Sequence, residues 1–110
     1  MVLEDTIYPN NTIRIGENAT DNDQIIKEAH ENDVWFHLSS LPSCHVIISC
    51  SKKYPLTKQM VNYCASLVKE HGKYKNISKV TISYTEIKNV KRTIIPGQVT
   101  IKNKVKSLRV

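Results

Sequence analysis

Apolar and polar side chains alternate most regularly between Asp33 and Ser49, and the rest of the chain can be ordered around that stretch. Side chains on a strand point to opposite faces with a period of two. Val34, Phe36 and Leu38 therefore share one face, with the composition of a core, while Asp33, Trp35 and His37 share the other. Ser39-Ser40-Leu41-Pro42-Ser43 has turn chemistry. A second strand follows from Cys44 to Cys50, with Val46 and Ile48 on one face and His45, Ile47 and Ser49 on the other. Two strands joined by a short polar loop are expected to be antiparallel neighbours, which brings His37 and His45 to the same end of the sheet.

Thr6 to Tyr8 and Thr12 to Ile15 are β-prone around Pro9-Asn10-Asn11 and predict a hairpin. A short helix is expected next, with Asp21 as N-cap, Gln24 at capping-box spacing, Asp23 complementing the helix dipole, and Ile25, Ile26 and Ala29 as its buried stripe. Lys52-Lys53-Tyr54-Pro55 is a basic connection. From Leu56 to His71, apolar residues recur at spacings of three and four, which predicts a longer amphipathic helix stopped by Gly72. Lys73-Tyr74-Lys75-Asn76 is a loop, and Val80, Ile82 and Tyr84 alternate with Thr81, Ser83 and Thr85 as another strand. Pro96-Gly97 marks a turn, and Gln98 to Ile101 with Val105 to Val110 predict a closing hairpin around Asn103. The order β-β-α-β-β-α-β-β-β predicts an α+β fold, a mostly antiparallel sheet with one short and one long amphipathic helix, as a single domain over residues 1–110.

Composition supports a globular domain: 110 residues are 40% hydrophobic and 24% charged. No apolar run approaches the roughly 18 residues of a membrane span. The start, MVLEDTIYPNN, has neither the basic opening nor the apolar core of a signal peptide, so a cytoplasmic protein without membrane association is expected. The cysteines at 44, 50 and 64 form no C-x-x-C pair and read as reduced, mostly buried thiols, and nothing in the spacing asks for a metal or cofactor. Charge sharpens the picture. Residues 1–50 carry two basic and eight acidic groups, whereas residues 51–110 carry fourteen basic and two acidic. Such asymmetry suggests an electropositive face of the kind that attracts phosphate backbones.

The Asp33/Trp35/His37 stripe admits two readings. It could be structural, with Asp33 satisfying a histidine or backbone N–H and Trp35 packed under a helix. Alternatively Trp35, His37 and His45 could stack on or bond to an exposed nucleotide. Lys88, Lys91 and Arg92 form a basic cluster suited to phosphate, and Lys52, Lys53, Lys73 and Lys75 add to the candidate nucleic-acid-binding set. A nucleophilic constellation of Cys44, His45, His37 and Asp33 is the rival, but Cys44 alternates onto the face opposite His45. A metal site on Asp33, His37 and His45 is the least favoured alternative, and a DNA-binding or protein-interaction module stays open.

Five segments in order resemble the NFACT RNA-binding domain family. They are Gly16-Glu17-Asn18-Ala19-Thr20-Asp21-Asn22-Asp23, Asp33-Val34-Trp35-Phe36-His37, Pro42-Ser43-Cys44-His45-Val46, Tyr84 to Arg92, and Pro96-Gly97-Gln98-Val99, and the likeness runs from about residue 6 to 110. The chain departs from the family pattern at Glu17, where Arg is usual, at Asp21, where Gln is common, and at Ser43-Cys44, which replaces Gly-Ser. The resemblance implies a non-enzymatic module of ribosome quality control with RNA partners: tRNA, rRNA and the large ribosomal subunit. A stand-alone branch of the family implies possible DNA binding as well. Tail-directing activity is not carried over. Asn22, Asp23 and Asp33 are the expected structural or base-orienting residues.

Overall fold

The computed structural model describes residues 1–110. Its main sheet has the order β1-β2-β4-β3-β5-β8, built from β1 (Leu3–Asp5), β2 (Ile13–Gly16), β3 (Val34–Leu38), β4 (His45–Ile48), β5 (Thr81–Glu86) and β8 (Lys106–Arg109), every neighbour antiparallel. Two helices, α1 (Ala19–Glu28) and α2 (Lys58–Glu70), pack against it, and β6 (Val90–Arg92) with β7 (Val99–Ile101) forms a separate two-stranded ribbon. The α+β architecture is as expected.

The alternation along β3 and β4 puts one apolar set under each helix. Val34, Phe36, Leu38, Cys44, Val46 and Ile48 join Met60, Cys64, Leu67 and Val68 of α2 in the larger core. On the opposite face Trp35 and Ile47 meet Ile25 and Ile26 of α1 and Ile87. An antiparallel sheet often leaves one face in water; here α1 and the β6–β7 ribbon cover part of the second.

Each helix begins where a side chain satisfies its free N–H groups. Thr57 caps α2 by accepting from the Met60 N–H. Asn18, not Asp21, caps α1: its Oδ1 accepts the Asp21 N–H at 2.9 Å and its Nδ2 donates to the Asp21 carboxylate. The helix thus starts earlier than the Asp21-Gln24 spacing predicts, because Asn18 and Asp21 are themselves three residues apart and form the reciprocal pair.

Two other expectations are corrected. The first hairpin pairs Leu3–Asp5 with Ile13–Ile15, so Thr6 to Tyr8 belongs to the connection, where Asp5 accepts the Ile7 N–H. The closing hairpin does not form. Val99 and Ile101 of β7 pack in the α1-side cluster, in a ribbon separate from the main sheet, while β8 is an edge strand of that sheet and sends Leu108, with Val110 just beyond it, into the α2-side core. β7 pairs with β6 and β8 with β5 instead. The cation-rich run 87–92 is a turn of 3-10 helix followed by β6.

Gly16 is required by close approach. It pairs with His45 across β2 and β4, and a Cβ there would lie 2.4 Å from Asn22 Oδ1 and 2.8 Å from the Asn22 backbone nitrogen. Asn22 cannot retreat, because its Oδ1 accepts the His45 N–H at 3.1 Å. Gly16→Ala is therefore expected to destabilise the domain by about 2–3 kcal/mol, as overpacking does, measured as a lower urea midpoint at unchanged slope.

Candidate nucleic-acid interface

The β3–β4 register aligns Phe36 with Val46, and one step further His37 faces His45 with ring centroids 4.8 Å apart, edge to face. His37 lies flat over Trp35, 5.4 Å between centroids and 5° between planes. The Trp35 Nε1–H donates to His45 Nδ1 at 3.1 Å. A neutral imidazole has one donor and one acceptor nitrogen, so this bond leaves the His45 proton on Nε2. Burial, with the neighbouring His37 second, pushes the His45 pKa down to about 3, and burial also lowers that of His37. Both rings are thus neutral near pH 7, offering stacking surface and hydrogen bonds in place of charge.

Burial divides the three candidates. Trp35 and His45 are 3% and 2% exposed, so Trp35 has no free face for a base and instead supports His37. His37 is half-buried and lines a groove of about 980 Å³. Glu17 to Ala19, Asn22, Pro42 to His45, His71 to Tyr74 and Ile95 to Val99 supply the remaining lining. Three segments far apart in sequence, those at Gly16, Pro42 and Pro96, converge here.

Asp33 lies at the other end of β3. Its two oxygens accept the His30 and Cys50 N–H groups at 3.0 and 3.1 Å, and it is buried. The stripe therefore separates into a structural carboxylate and an aromatic–imidazole group, and the Asp–His constellation is not assembled. Cys44 faces α2, its Sγ 3.6 Å from the Val68 carbonyl, and burial pushes its thiol up to about 11. Asn22 Oδ1 accepts the His45 backbone N–H at 3.1 Å, which ties α1 to the end of β4.

The cations are also sorted. Arg92, expected on phosphate, makes two 2.8 Å hydrogen bonds to Asp23 and clamps the ribbon to α1. That guanidinium holds the Asp23 carboxyl below the ordinary carboxylate range. The Lys88 ammonium lies 3.6 Å from Glu86. Lys52 and Lys53 follow the far end of β4 from His45, with the Lys53 ammonium over the Tyr54 ring. Lys73 lines the groove, Lys75 is exposed two residues on, and Lys91 is exposed on β6. Sequence reasoning placed the turn at Pro96-Gly97 but missed the pairing of Glu17 with His71 Nδ1 at 3.2 Å in the groove and the exposed side chains at the ribbon tip. The available signal for the tip was an apolar pair, Ile94-Ile95, set directly before a turn dipeptide.

The family model described as the NFACT protein RNA binding domain matches residues 5–103. Coiled-coil domain-containing protein 25 of Danio rerio is 30% identical over 91 residues, which are 79% of this chain and 44% of that protein. RqcH, the Rqc2 homologue of Bacillus subtilis (strain 168), is 32% identical over 92 residues, 81% of this chain and 16% of that protein. The chain thus spans less than half the length of these curated relatives. The C-terminal structure of the fibronectin/fibrinogen-binding protein from Streptococcus suis superposes with a TM-score of 0.80 at 26% identity, over 91% of this chain and 41% of that one.

A histidine whose folded value lies below its unfolded one leaves the unfolded chain binding more protons between the two values. The His45 contribution is accordingly complete above about pH 6.5 and is lost as pH falls toward about 3. Its size is on the order of a few kcal/mol. His45→Asn keeps an acceptor for the Trp35 N–H and removes the proton site. Urea midpoints of this variant are expected to fall less than those of the wild type between pH 7 and pH 4, and parallel curves would contradict the assignment.

Proposed function

The chain belongs to the NFACT RNA-binding domain family, and on that premise we propose that it is a non-enzymatic RNA-binding module of ribosome quality control. In this reading its groove holds an unpaired segment of tRNA or of rRNA on the large ribosomal subunit, and its setting is the cytoplasm. The observation that carries the proposal is the His37 ring, backed by buried Trp35 and turned toward a groove where three of the family's sequence segments meet.

Sequence-specific recognition of RNA favours loops and ends, whose unstacked bases pack on flat side chains and bond through their edges. His37 supplies a flat ring, fixed from behind by Trp35 and from the side by His45. Tyr74, also in the lining, supplies a second ring, while Gln98 offers an amide donor and acceptor. Because His37 and His45 are neutral, discrimination comes from shape and hydrogen bonds, and affinity has to come from the lysines. Lys73, Lys75 and Lys91 are exposed, and no carboxylate forms an ion pair with any of them. They are the cations best placed to neutralise phosphate around the groove. Lys88, Lys52 and Lys53 add diffuse attraction, and Arg92 keeps the ribbon in place.

Two variants test the separate roles against a labelled tRNA-like stem–loop across a salt series. Replacing Lys73, Lys75 and Lys91 together by alanine is expected to weaken binding and reduce the logarithmic salt slope by about two units, in line with 0.7–0.9 per phosphate contact. His37→Ala is expected to cost about tenfold, the scale of one lost base stack, with the slope unchanged. A wild-type affinity that ignores salt, or a triple variant with the wild-type slope, would contradict the proposal. A DNA strand of the same sequence in parallel shows whether the ribose matters.

A further inference from the structure

The tip of the β6–β7 ribbon presents apolar side chains to water on a rigid mount. Ile94 is 99% exposed and Ile95 50%. A single exposed isoleucine is ordinary; an adjacent pair on a rigid cationic ribbon offers an apolar contact surface. The tip is held from within by the Thr93 N–H donating to the Gln98 carbonyl and the Gln98 N–H to the Ile95 carbonyl. The Thr93 hydroxyl oxygen also accepts the Ile95 N–H at 3.1 Å. Gly97, at φ +84°, sits so close to α1 that a Cβ would lie 3.1 Å from Ala19 Cα. Arg92 clamps to Asp23 just before the tip, and Val90, Val99 and Ile101 anchor the ribbon in the α1-side cluster. The exposure of Ile94 is thus imposed by the fold, so little ordering cost remains to be met on binding.

From residue 87 to residue 110 the chain carries seven Lys and Arg and no Asp or Glu. A partner for this tip must combine negative charge with apolar surface, as nucleic acid and anionic lipid both do. Ile95 decides between them, since it lines the same groove as His37 and Gln98, whose polar side chains suit base edges and not a bilayer core.

We propose that the tip acts as a wedge: Ile94 packs against the face of an unstacked base at the mouth of the groove, and Ile95 continues that apolar contact inward. Aliphatic wedges of this kind open base steps in nucleic-acid complexes. The inference rests on the RNA-binding reading above.

The test is Ile94→Ser, with Ile94→Leu as the conservative control. With its side chain in solvent, the serine variant is expected to keep the wild-type melting temperature. It should bind a stem–loop RNA roughly tenfold more weakly at every salt concentration, the loss expected for one isoleucine returned to water, with an unchanged salt slope. Ile94→Leu should restore affinity. A 2-aminopurine in the loop should brighten on binding wild type and much less with the serine variant. If wild type binds RNA and Ile94→Ser binds it equally, the wedge is overturned while the RNA-binding reading stands. If the serine variant loses affinity only for phosphatidylserine vesicles, the partner is a membrane and the wedge is overturned. If wild type binds no RNA, both fall.

Discussion

The hydrogen bond from the Trp35 indole to His45 Nδ1 is the contact on which the groove depends. It joins β3 to β4 through side chains at the point where the strands diverge into the Ser39–Ser43 turn, and it selects which nitrogen of His45 carries the proton. Deleting one partner would strand the other in the interior, at a desolvation cost of about 1–3 kcal/mol. Everything nearby serves to keep the pair dry and aligned. Ile25 and Ile26 of α1 cover the indole, and Asn22 bonds to the His45 backbone. Gly16 allows α1 to come that close. His37 then rests on a surface that cannot yield, and a ring held on a fixed surface loses little freedom when a ligand stacks on it.

Much of this order was legible from period-two alternation. Val34, Phe36 and Leu38 form the core face, His37 and His45 meet at one end of an antiparallel pair, and the cysteines at 44 and 64 are buried. What alternation could not supply is the state of the second face. Trp35 and His37 have the same parity, yet one is sealed and the other half-open, because α1 and the ribbon stop between them. That boundary is set by packing between segments distant in sequence. Arg92 shows the same limit: as one of three cations in a short run it reads as a phosphate ligand, and its carboxylate partner, Asp23, lies 69 residues away. The closing hairpin failed for a related reason. Local turn chemistry favoured pairing of β7 with β8, but their apolar residues belong to cores on opposite sides of the sheet.

The charge asymmetry has a structural counterpart. Acidic side chains of the first half are largely engaged: Asp21 in the α1 cap, Asp23 with Arg92, Asp33 with backbone N–H groups, and Glu17 with His71. Most lysines of the second half stay free on the surface. The acidic side chains thus serve to hold elements together, whereas most of the lysines face water. Glu17 has a further consequence, since its carboxylate sits beside His71 inside the groove and lowers the positive charge there. In the proposed reading, phosphate contact therefore moves outward to Lys73, Lys75 and Lys91.

The central claim is that the groove beside His37 receives RNA, and amide chemical-shift mapping of the labelled domain during titration with a tRNA-like stem–loop tests it most directly. The account predicts shifts concentrated in residues 17–22, 71–75 and 91–99 and at His37, with the outer face of α2 unchanged. Shifts gathered on α2 or around Lys52 and Lys53, with the groove unperturbed, would contradict it.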